Sequence, residues 1–254
     1  MTNPTTYDAE TGLAALDAAV AARWQRLLTK PWVMEFLNTF SSSDRRLFAI
    51  YMSQVVAYTS HTARNQALVG VNGENTNVHY MKYCFKHALE ETGHELMAVH
   101  DLKSIGAPIE SAADLPRPLP ATELMVAYLY WVSSNGNPIQ RLGFSYWAEQ
   151  SYRFIGDAVS GHRENMGLQK EQMTFFYSHA HVDEGHAEDV KQILLKVCQT
   201  EQDWKDVIRV AETTLDLSEQ MLEQVRAEHA RMVAGEPSDY ALFEVLAPAD
   251  PAPA

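Results

Sequence analysis

Cysteine is scarce in this chain of 254 residues, which contains only Cys84 and Cys198. Two cysteines are too few for the disulfide framework of a small secreted domain, so both are expected to be buried and reduced. Their scarcity does not exclude a metal site. Imidazole and carboxylate groups are a usual ligand set for a catalytic divalent metal, and thiolate is not needed.

Positive charge and long apolar runs are also lacking. The chain has 20 Lys and Arg against 33 Asp and Glu, a formal net charge of −13 and a pI near 5.2. This balance argues against binding to nucleic acid or to an anionic membrane surface. No apolar run approaches the length of a membrane span, and the first residues, MTNPTTYDAETG, lack the layout of a signal peptide. We therefore expect a cytoplasmic protein with no membrane partner.

Alternating apolar and polar runs bounded by hairpin turns are absent as well, so no β-sheet is predicted. Nearly every segment instead has helical periodicity and helical start and stop signals. The predicted helices cover approximately residues 8–28, a short piece from Pro31, 43–69, 76–105, 122–133, a segment up to 160, a segment up to 198, and 202–233. We expect one all-α domain of about seven helices over residues 1–234, followed by a strap or disordered tail over residues 235–254.

The most informative motif lies in YSHAHVDEGHAEDV, where His179, Asp183 and His186 are spaced H-x3-D-x2-H. At about 100° per residue on a helix, these side chains fall within roughly 60° of one another on one face. Three side chains of the metal-ligand type therefore converge on one point. Iron, manganese and zinc are the metals that such a set accepts.

A second set of candidate ligands lies upstream, in KYCFKHALEETGHELMAVHDL. His87, Glu91 and His94 are spaced i, i+4 and i+7 there, with Glu90 at the edge of the same helix face. A third candidate is Glu149 in GFSYWAEQSYRF, where a buried acid is costly unless it is paired or metal-bound. Inward-facing carboxylates and histidines on separate helices are what a dinuclear iron site in a helical bundle requires.

Each of these patterns also has a simpler explanation. A histidine on an apolar helix face is more often a hydrogen-bonded core residue than a ligand, and charges spaced i, i+3 and i+4 usually form a solvated face. The other histidines are assigned to such structural positions: His61, His79, His100, His162, His181 and His229. Four cations are candidates to hold a substrate carboxylate, although surface placement is the default for each: Arg141, Arg64, Lys82 and Arg153.

Three segments in this order, LEETGHELMAVHDLKSIG, NPIQRLGFSYWAEQ and HAHVDEGHAED, give the chain its resemblance to a known family. The chain resembles the haem-oxygenase-like diiron oxidase and oxygenase superfamily, whose bundle fold is shared with thiaminase II and pyrroloquinoline quinone synthase. The intervals between the motifs are similar too, and the resemblance spans roughly residues 45–195. The last motif is the most specific, because the E-x2-H of the first segment is shared with ferritins.

This resemblance implies a haem-oxygenase-like helical bundle with two Fe(II) ions, O2 as co-substrate and an external reductant. The implied metal ligands, which are also the implied catalytic residues, are Glu91, His94, Glu149, His179, Asp183 and His186. Glu90 is an alternative to Glu91, because its spacing of four residues from His94 is geometrically as good.

The sequence departs from some members of this superfamily. Members that oxygenate nitrogen add a carboxylate from the preceding helix, whereas no Asp or Glu occurs here between Asp44 and Glu74. His61 or Tyr58 would occupy that neighbourhood. Other members place the first acid further upstream, where this chain has His87. The sequence leaves open whether His61 or His87 joins the site.

The candidate ligands and the resemblance together predict a non-haem diiron oxidoreductase in a biosynthetic pathway. It would modify a small amine or amino-acid-like metabolite by N-oxygenation or oxidative bond cleavage. One alternative is oxidative decarboxylation of a fatty acid to a terminal alkene, which the E-x2-H favours and which needs a longer apolar tunnel. The other is a non-redox bundle that only binds a small molecule or a partner. Expected partners are a small-molecule substrate, a second copy of the chain and an electron-donor protein.

Overall fold

A computed structural model describes residues 7–40, 42–156 and 167–248, without the side chains of residues 179–184. Every regular element in these residues is helical, which confirms the all-α prediction. The described residues contain nine complete α-helices: α1 (Ala9–Leu28), α2 (Pro31–Phe40), α3 (Arg46–Val71), α4 (Val78–Glu90), α5 (His94–Ser104), α6 (Pro120–Ser134), α7 (Leu142–Glu149), α8 (Thr174–Val197) and α9 (Glu201–Val233).

Short polar side chains begin several of these helices. The Asp8 carboxylate accepts a hydrogen bond from the Thr11 amide at the start of α1, at 2.9 Å. Asn77 caps α4 in the same way, and Thr200 forms a reciprocal capping box with Asp203 at the start of α9. Such caps satisfy amide groups that have no partner inside the helix, which is why they mark helix starts in the sequence.

One predicted helix is wrong. The segment predicted as a single helix over residues 76–105 is divided into α4 and α5 by a turn at residues 91–93. Gly93 has a φ of 96°, a conformation that glycine adopts without the steric cost met by other residues. α4 therefore ends at Glu90, and α5 begins at His94. This division is one reason why the described helices outnumber the predicted seven.

The helix that carries Glu149 is also shorter than predicted. α7 ends at Glu149, and helical structure begins again only over residues 152–156. The predicted end near Ser160 lies outside the described residues. Glu149 therefore occupies the last position of a short helix, and Gln150 follows it as the C-cap.

The position of Glu149 is fixed by the close packing of α7 against α9. A Cβ atom at Gly143 would lie 2.1 Å from the carbonyl oxygen of Val207, so only glycine permits this approach. One turn later, the Trp147 indole N–H donates to the Thr214 hydroxyl of α9 at 2.7 Å. These contacts place the end of α7 in the centre of the bundle, between α4 and α8.

Residues 240–246 form a strap that packs on the bundle, largely as a 3-10 helix. Its buried side chains are Tyr240, Phe243 and Leu246. The Tyr240 hydroxyl accepts a hydrogen bond from the Gln54 side-chain amide of α3 at 2.9 Å. The strap is therefore joined to the bundle by a buried polar contact as well as by apolar packing.

None of the described helices combines the length and the apolar character needed to cross a membrane. The division of the chain into a bundle over residues 1–234 and a tail over residues 235–254 stays a prediction.

Candidate metal centre

Four side chains of the metal-ligand type meet between α4, α7 and α8. His87 comes from the last turn of α4, Glu91 from its C-cap, Glu149 from the end of α7 and His186 from α8. One nitrogen or oxygen atom from each lies within 4.8 Å of the others. The three helix segments therefore bring two carboxylates and two imidazoles to one point, which we call the His/Glu cluster.

Each carboxylate of the cluster faces two imidazoles. Glu149 Oε1 lies 3.2 Å from His87 Nε2, and Glu149 Oε2 lies 3.5 Å from His186 Nδ1. Glu91 Oε1 lies 3.9 Å from the same His186 nitrogen, and Glu91 Oε2 lies 3.3 Å from His94 Nδ1. The two oxygens of each carboxylate thus point toward different histidines, as they would in a carboxylate that bridges two cations.

The cluster is withdrawn from solvent. His87 and Glu91 are 2% and 7% exposed, and the side chains of Glu149 and His186 are 10% and 12% exposed. The Nδ1 atom of His87 is buried and has no hydrogen-bond partner among the described residues. A buried polar atom without a partner is costly, so its retention indicates that another group satisfies it or that it serves a function.

Burial and hydrogen bonding shift the pKa values of the two carboxylates of the cluster in opposite directions. Burial alone would raise the pKa of Glu149, but the hydrogen bonds from His186 and His87 outweigh it and lower the pKa to about 2. Burial is also the largest influence on Glu91 and would raise its pKa, but the hydrogen bond from His94 and the charges of His94 and His87 together lower that pKa. Both carboxylates are therefore anionic at neutral pH and require positive charge beside them.

The histidines supply that positive charge in the protein alone. The hydrogen bond to Glu149 raises the pKa of His186 to about 9, and the hydrogen bond to Glu91 raises the pKa of His94. A divalent cation bound at the cluster would take over this role and displace the imidazole protons. Two carboxylates and two imidazoles are a chemically suitable donor set for iron.

A partly open cavity of about 160 Å³ adjoins the cluster. His87, Glu91 and Glu149 lie in its wall together with Arg141 and Ser145. Much of the remaining wall is aromatic: Trp24, Tyr51, Tyr58, Phe144, Trp147, Tyr152, Phe175 and Phe176. The cavity therefore has a polar, charged side and an apolar side, which is the usual composition of a small-molecule site.

Residues 49–219 match the family model described as iron-containing redox enzyme. The match covers more than half of the chain. The protein belongs to this family. Its iron-containing members and the donor set of the His/Glu cluster agree with each other, since every group of the cluster is a ligand type that iron accepts.

Solved structures show the same fold. A domain of unknown function with a haem oxygenase-like fold from Shewanella denitrificans is 41% identical, with a TM-score of 0.81 over 89% of this chain and 97% of that chain. TenA homologues from Pyrococcus furiosus (15% identity, TM-score 0.66, 84% and 99% coverage) and Pseudomonas syringae pv. tomato (13%, 0.69, 89% and 98%) share the fold alone. The haem-oxygenase-like fold predicted from the sequence is therefore confirmed. No curated protein matches the chain.

The structure of this iron-containing redox enzyme family member brings several of the predicted ligands together. Glu91, Glu149 and His186 belong to the His/Glu cluster, and His94 contacts Glu91. The backbones of His179 and Asp183 lie in α8, within two turns before His186, but their side chains are outside the described residues. The assignment of all six residues as ligands stays a prediction.

The two glutamates that the sequence left as alternatives lie in different environments. Glu91 is buried in the cluster, whereas the Glu90 side chain is 34% exposed at its rim. Glu90 lies 3.5 Å from Lys86 Nζ and 3.7 Å from His186 Nε2. The closer partner of Lys86 is Asp189, at 2.5 Å. The greater burial of Glu91 and its contacts with His94 and His186 favour Glu91 as the acid that faces a metal.

Of the two histidines that the sequence left open, the structure places only His87 in the cluster. His87 stacks on Tyr83 with ring centroids 5.3 Å apart and presents Nε2 to Glu149. Its spacing of four residues before Glu91 is the sequence signal for this position. His61 instead has its Nδ1 atom 3.0 Å from the Tyr130 hydroxyl and does not belong to the His/Glu cluster.

Proposed function

We propose that this protein is an O2-activating non-haem diiron oxidase or oxygenase that acts on a small amine or amino-acid-like metabolite. The observation that carries the proposal is the buried His/Glu cluster beside a partly open cavity. Its two carboxylates each face two imidazoles, and this arrangement supports a site for two cations rather than one. Two Fe(II) ions bound there would supply electrons that reduce O2, so that O2 could serve as the oxidant of the substrate.

The residues that would hold iron are Glu149, Glu91, His186, His87 and His94, with His179 and Asp183 as further ligands proposed from the sequence. α7 and α9 keep Glu149 in place, and the turn at Gly93 sets the relation of Glu91 to His94. The aromatic side of the cavity would exclude bulk water from the reaction. An external reductant, delivered by a donor protein, is part of the proposal.

The size of the cavity supports a small substrate. An engineered cavity of about 150 Å³ in another protein accepts a benzene-sized ligand. A cavity of about 160 Å³ therefore suits an amino-acid-sized molecule better than an extended fatty-acid chain. On this basis we favour N-oxygenation or oxidative bond cleavage of a small metabolite over decarboxylation of a fatty acid.

Anaerobic titration with Fe(II) followed by exposure to O2 tests the proposed function. We expect close to two Fe(II) per chain, rapid O2 uptake and a transient visible absorption band. If the protein binds no iron under these conditions, or binds zinc tightly without O2 uptake, the result would favour a non-redox bundle that only binds a small molecule. A screen of amino acids, amines and medium-chain fatty acids then separates the substrate classes by the rate at which the band decays.

A matched pair of variants tests the ligand assignment. Glu91→Gln keeps the size of the side chain but removes an anionic group from the His/Glu cluster, so it should lose at least one iron and nearly all O2 uptake. Glu90→Gln changes a half-exposed neighbour paired with Lys86, so both measurements should stay close to those of the unchanged protein. The opposite outcome would move the ligand role to Glu90.

A further inference from the structure

Arg141 is a fully buried cation with an incomplete set of partners. It is 0% exposed, at the junction between a 3-10 turn and α7. Its Nε atom donates to Asn65 Oδ1 at 2.8 Å, and its Nη1 atom donates to the Ser145 hydroxyl at 2.6 Å. Its Nη2 atom is buried and has no hydrogen-bond partner among the described residues.

The partners of Arg141 do not explain its charge. Both hydrogen-bond acceptors are neutral, and no ion pair joins Arg141 to a carboxylate in the described part of the chain. Stacking of the guanidinium over the Phe144 ring, at 4.8 Å from its centroid, stabilises the cation only partly. The negative charge of Glu91 acts on Arg141 only through space, without an ion pair. A buried cation without a directly bonded counter-ion is unfavourable, and a neutral side chain could bond to Asn65 and Ser145 without that cost.

Arg141 faces the same cavity as the His/Glu cluster. Arg141, Ser145 and Glu149 are spaced i, i+4 and i+8 along one helical face, and all three line the cavity. The guanidinium reaches the Ser145 hydroxyl, so it lies about one helical turn, roughly 6 Å along the axis, from the position of Glu149. A small molecule in the cavity could therefore contact the guanidinium and the His/Glu cluster at the same time.

We propose that Arg141 binds the carboxylate of the substrate, so that the substrate class is small carboxylic acids, including amino acids. The substrate carboxylate accepts a hydrogen bond from Nη2 and supplies the missing counter-ion. The rest of the molecule extends through the cavity toward the His/Glu cluster. A single guanidinium with one unpartnered nitrogen suits a monoanion, which favours a carboxylate over a phosphate. The inference names a substrate class for the proposed function, but carboxylate binding itself does not require iron.

Matched pairs of acids and amides test this assignment, because each pair differs in charge but hardly in shape. We would measure binding of benzoate against benzamide and of butyrate against butyramide to the full chain, by calorimetry and by the shift in Tm. The metal-free protein is used first, so that an acid cannot bind through iron. Each acid should bind about tenfold more tightly than its amide, as expected for one hydrogen bond to a charged group.

Asn65→Asp provides the sharpest variant. The change is nearly isosteric and places a carboxylate against Arg141 Nε, so it supplies an internal counter-ion to the buried cation. It also removes the hydrogen bond that Asn65 Nδ2 donates to the His61 carbonyl oxygen at 2.8 Å, so the Tm of this variant does not report on the counter-ion alone. We expect loss of most of the preference for acids and unchanged binding of the amides. A purely structural arginine would leave the preference for acids as it was.

Arg141→Met and Arg141→Lys complete the test, with Arg64→Met as the control. Arg64, another of the four candidate cations, is exposed on α3 and does not line the cavity, so its loss should leave the preference for acids unchanged. Arg141→Met should abolish the preference, and Arg141→Lys should retain part of it because the charge stays. If Arg141→Met fails to fold, the Asn65→Asp result decides alone.

Equal binding of acids and amides to the unchanged protein, or a preference that survives Asn65→Asp, would overturn the proposal. Iron content is measured on the same samples. A chain that prefers acids but takes up no iron would contradict the proposed function and leave the role of Arg141 standing. A chain that takes up iron and O2 without any preference for acids would contradict the role of Arg141 and leave the proposed function standing.

Discussion

Two buried polar regions of this molecule differ in how completely their hydrogen bonds are satisfied. Under the strap, the Gln54 amide nitrogen lies within hydrogen-bond distance of three oxygens for its two N–H groups, including the Tyr240 hydroxyl, and its carbonyl oxygen accepts from the Leu119 amide and the Thr122 hydroxyl. In and beside the cavity, buried polar atoms of His87, Arg141, Trp24 and Tyr83 have no hydrogen-bond partner among the described residues.

The difference separates a structural network from a binding site. A fully satisfied buried network stabilises one arrangement of the chain, because every group removed from water has a replacement partner. An incompletely satisfied one costs stability and is retained where another molecule completes it. The strap network and the cavity region therefore make opposite predictions for the same kinds of substitution.

The largest effect on function is expected for Glu149→Gln. The variant removes the anionic group that faces both His87 and His186, and iron affinity should fall on the order of 100-fold or more, with O2 uptake nearly lost. Metal analysis and circular dichroism should show a folded chain without its full iron content. Glu188→Gln, an exposed change on α8, is the control and should retain both iron and helicity.

The largest effect on stability is expected for Gln54→Ala. Its removal leaves the Leu119 amide and the Thr122 hydroxyl without their buried acceptor, which should cost about 3 kcal/mol in the free energy of unfolding. Urea denaturation measures this cost. Iron content per folded chain should not change, and a loss of iron would show that the two regions are coupled.

Gly143→Ala should affect both stability and iron binding, because it forces α7 away from α9. The added Cβ atom would lie 2.1 Å from a backbone oxygen, which cannot rotate away as a side chain can. We expect a loss of about 2 kcal/mol in stability and a lower iron affinity, since Glu149 lies at the end of the displaced helix. Unchanged iron affinity in the destabilised variant would show that the centre does not depend on this packing.

Low pH should reduce the free energy of unfolding through protonation of Asp44, which lies near the strap. Burial alone would raise the pKa of Asp44, but hydrogen bonds from Arg46 and His229 hold it well below its usual range. A lowered pKa in the folded state contributes stability that is present above the ordinary aspartate pKa, near 4, and is lost as the pH falls below it. Asp44→Asn should be less stable at pH 7 by about 1–2 kcal/mol and should lose less stability than the unchanged protein between about pH 4 and pH 2. Parallel acid denaturation curves for the two proteins would contradict this.

The helices could be predicted from the sequence because their signals are local. Capping residues such as Asp8 and Thr200 and helical apolar periodicity mark these elements without knowledge of the fold. The break at Gly93 was not predicted, since a glycine inside a helical pattern is tolerated and only the tertiary structure shows its positive φ. The buried strap around Tyr240 and Phe243 likewise depends on contacts with residues far away in the sequence.

Only part of the candidate centre could be predicted from the sequence, for the same reason. The spacing of ligand-type residues on each helix nominated Glu91, Glu149 and His186, which the fold brings together. His87 was left open, because the resemblance suggested an acid at that place. Arg141 was one of four candidates to hold a substrate carboxylate, with surface placement as the default, since nothing in a local pattern reveals that an arginine is fully buried.

A single chemical change, tyrosine to phenylalanine, gives the finest comparison of the two regions. The Tyr240 hydroxyl accepts from Gln54 and donates to the Arg117 carbonyl oxygen at 3.0 Å, so Tyr240→Phe should cost about 1–2 kcal/mol in the free energy of unfolding.

The Tyr83 hydroxyl is buried without a hydrogen-bond partner among the described residues, so Tyr83→Phe should change stability by less than about 0.5 kcal/mol. Urea denaturation of both variants in the metal-free protein measures the difference. Equal losses would mean that the Tyr83 hydroxyl has a partner in solution, such as an ordered water or the Ser145 hydroxyl. In that case the incompletely satisfied region would be smaller than the structure indicates, and its unpartnered atoms would be those of His87, Arg141 and Trp24.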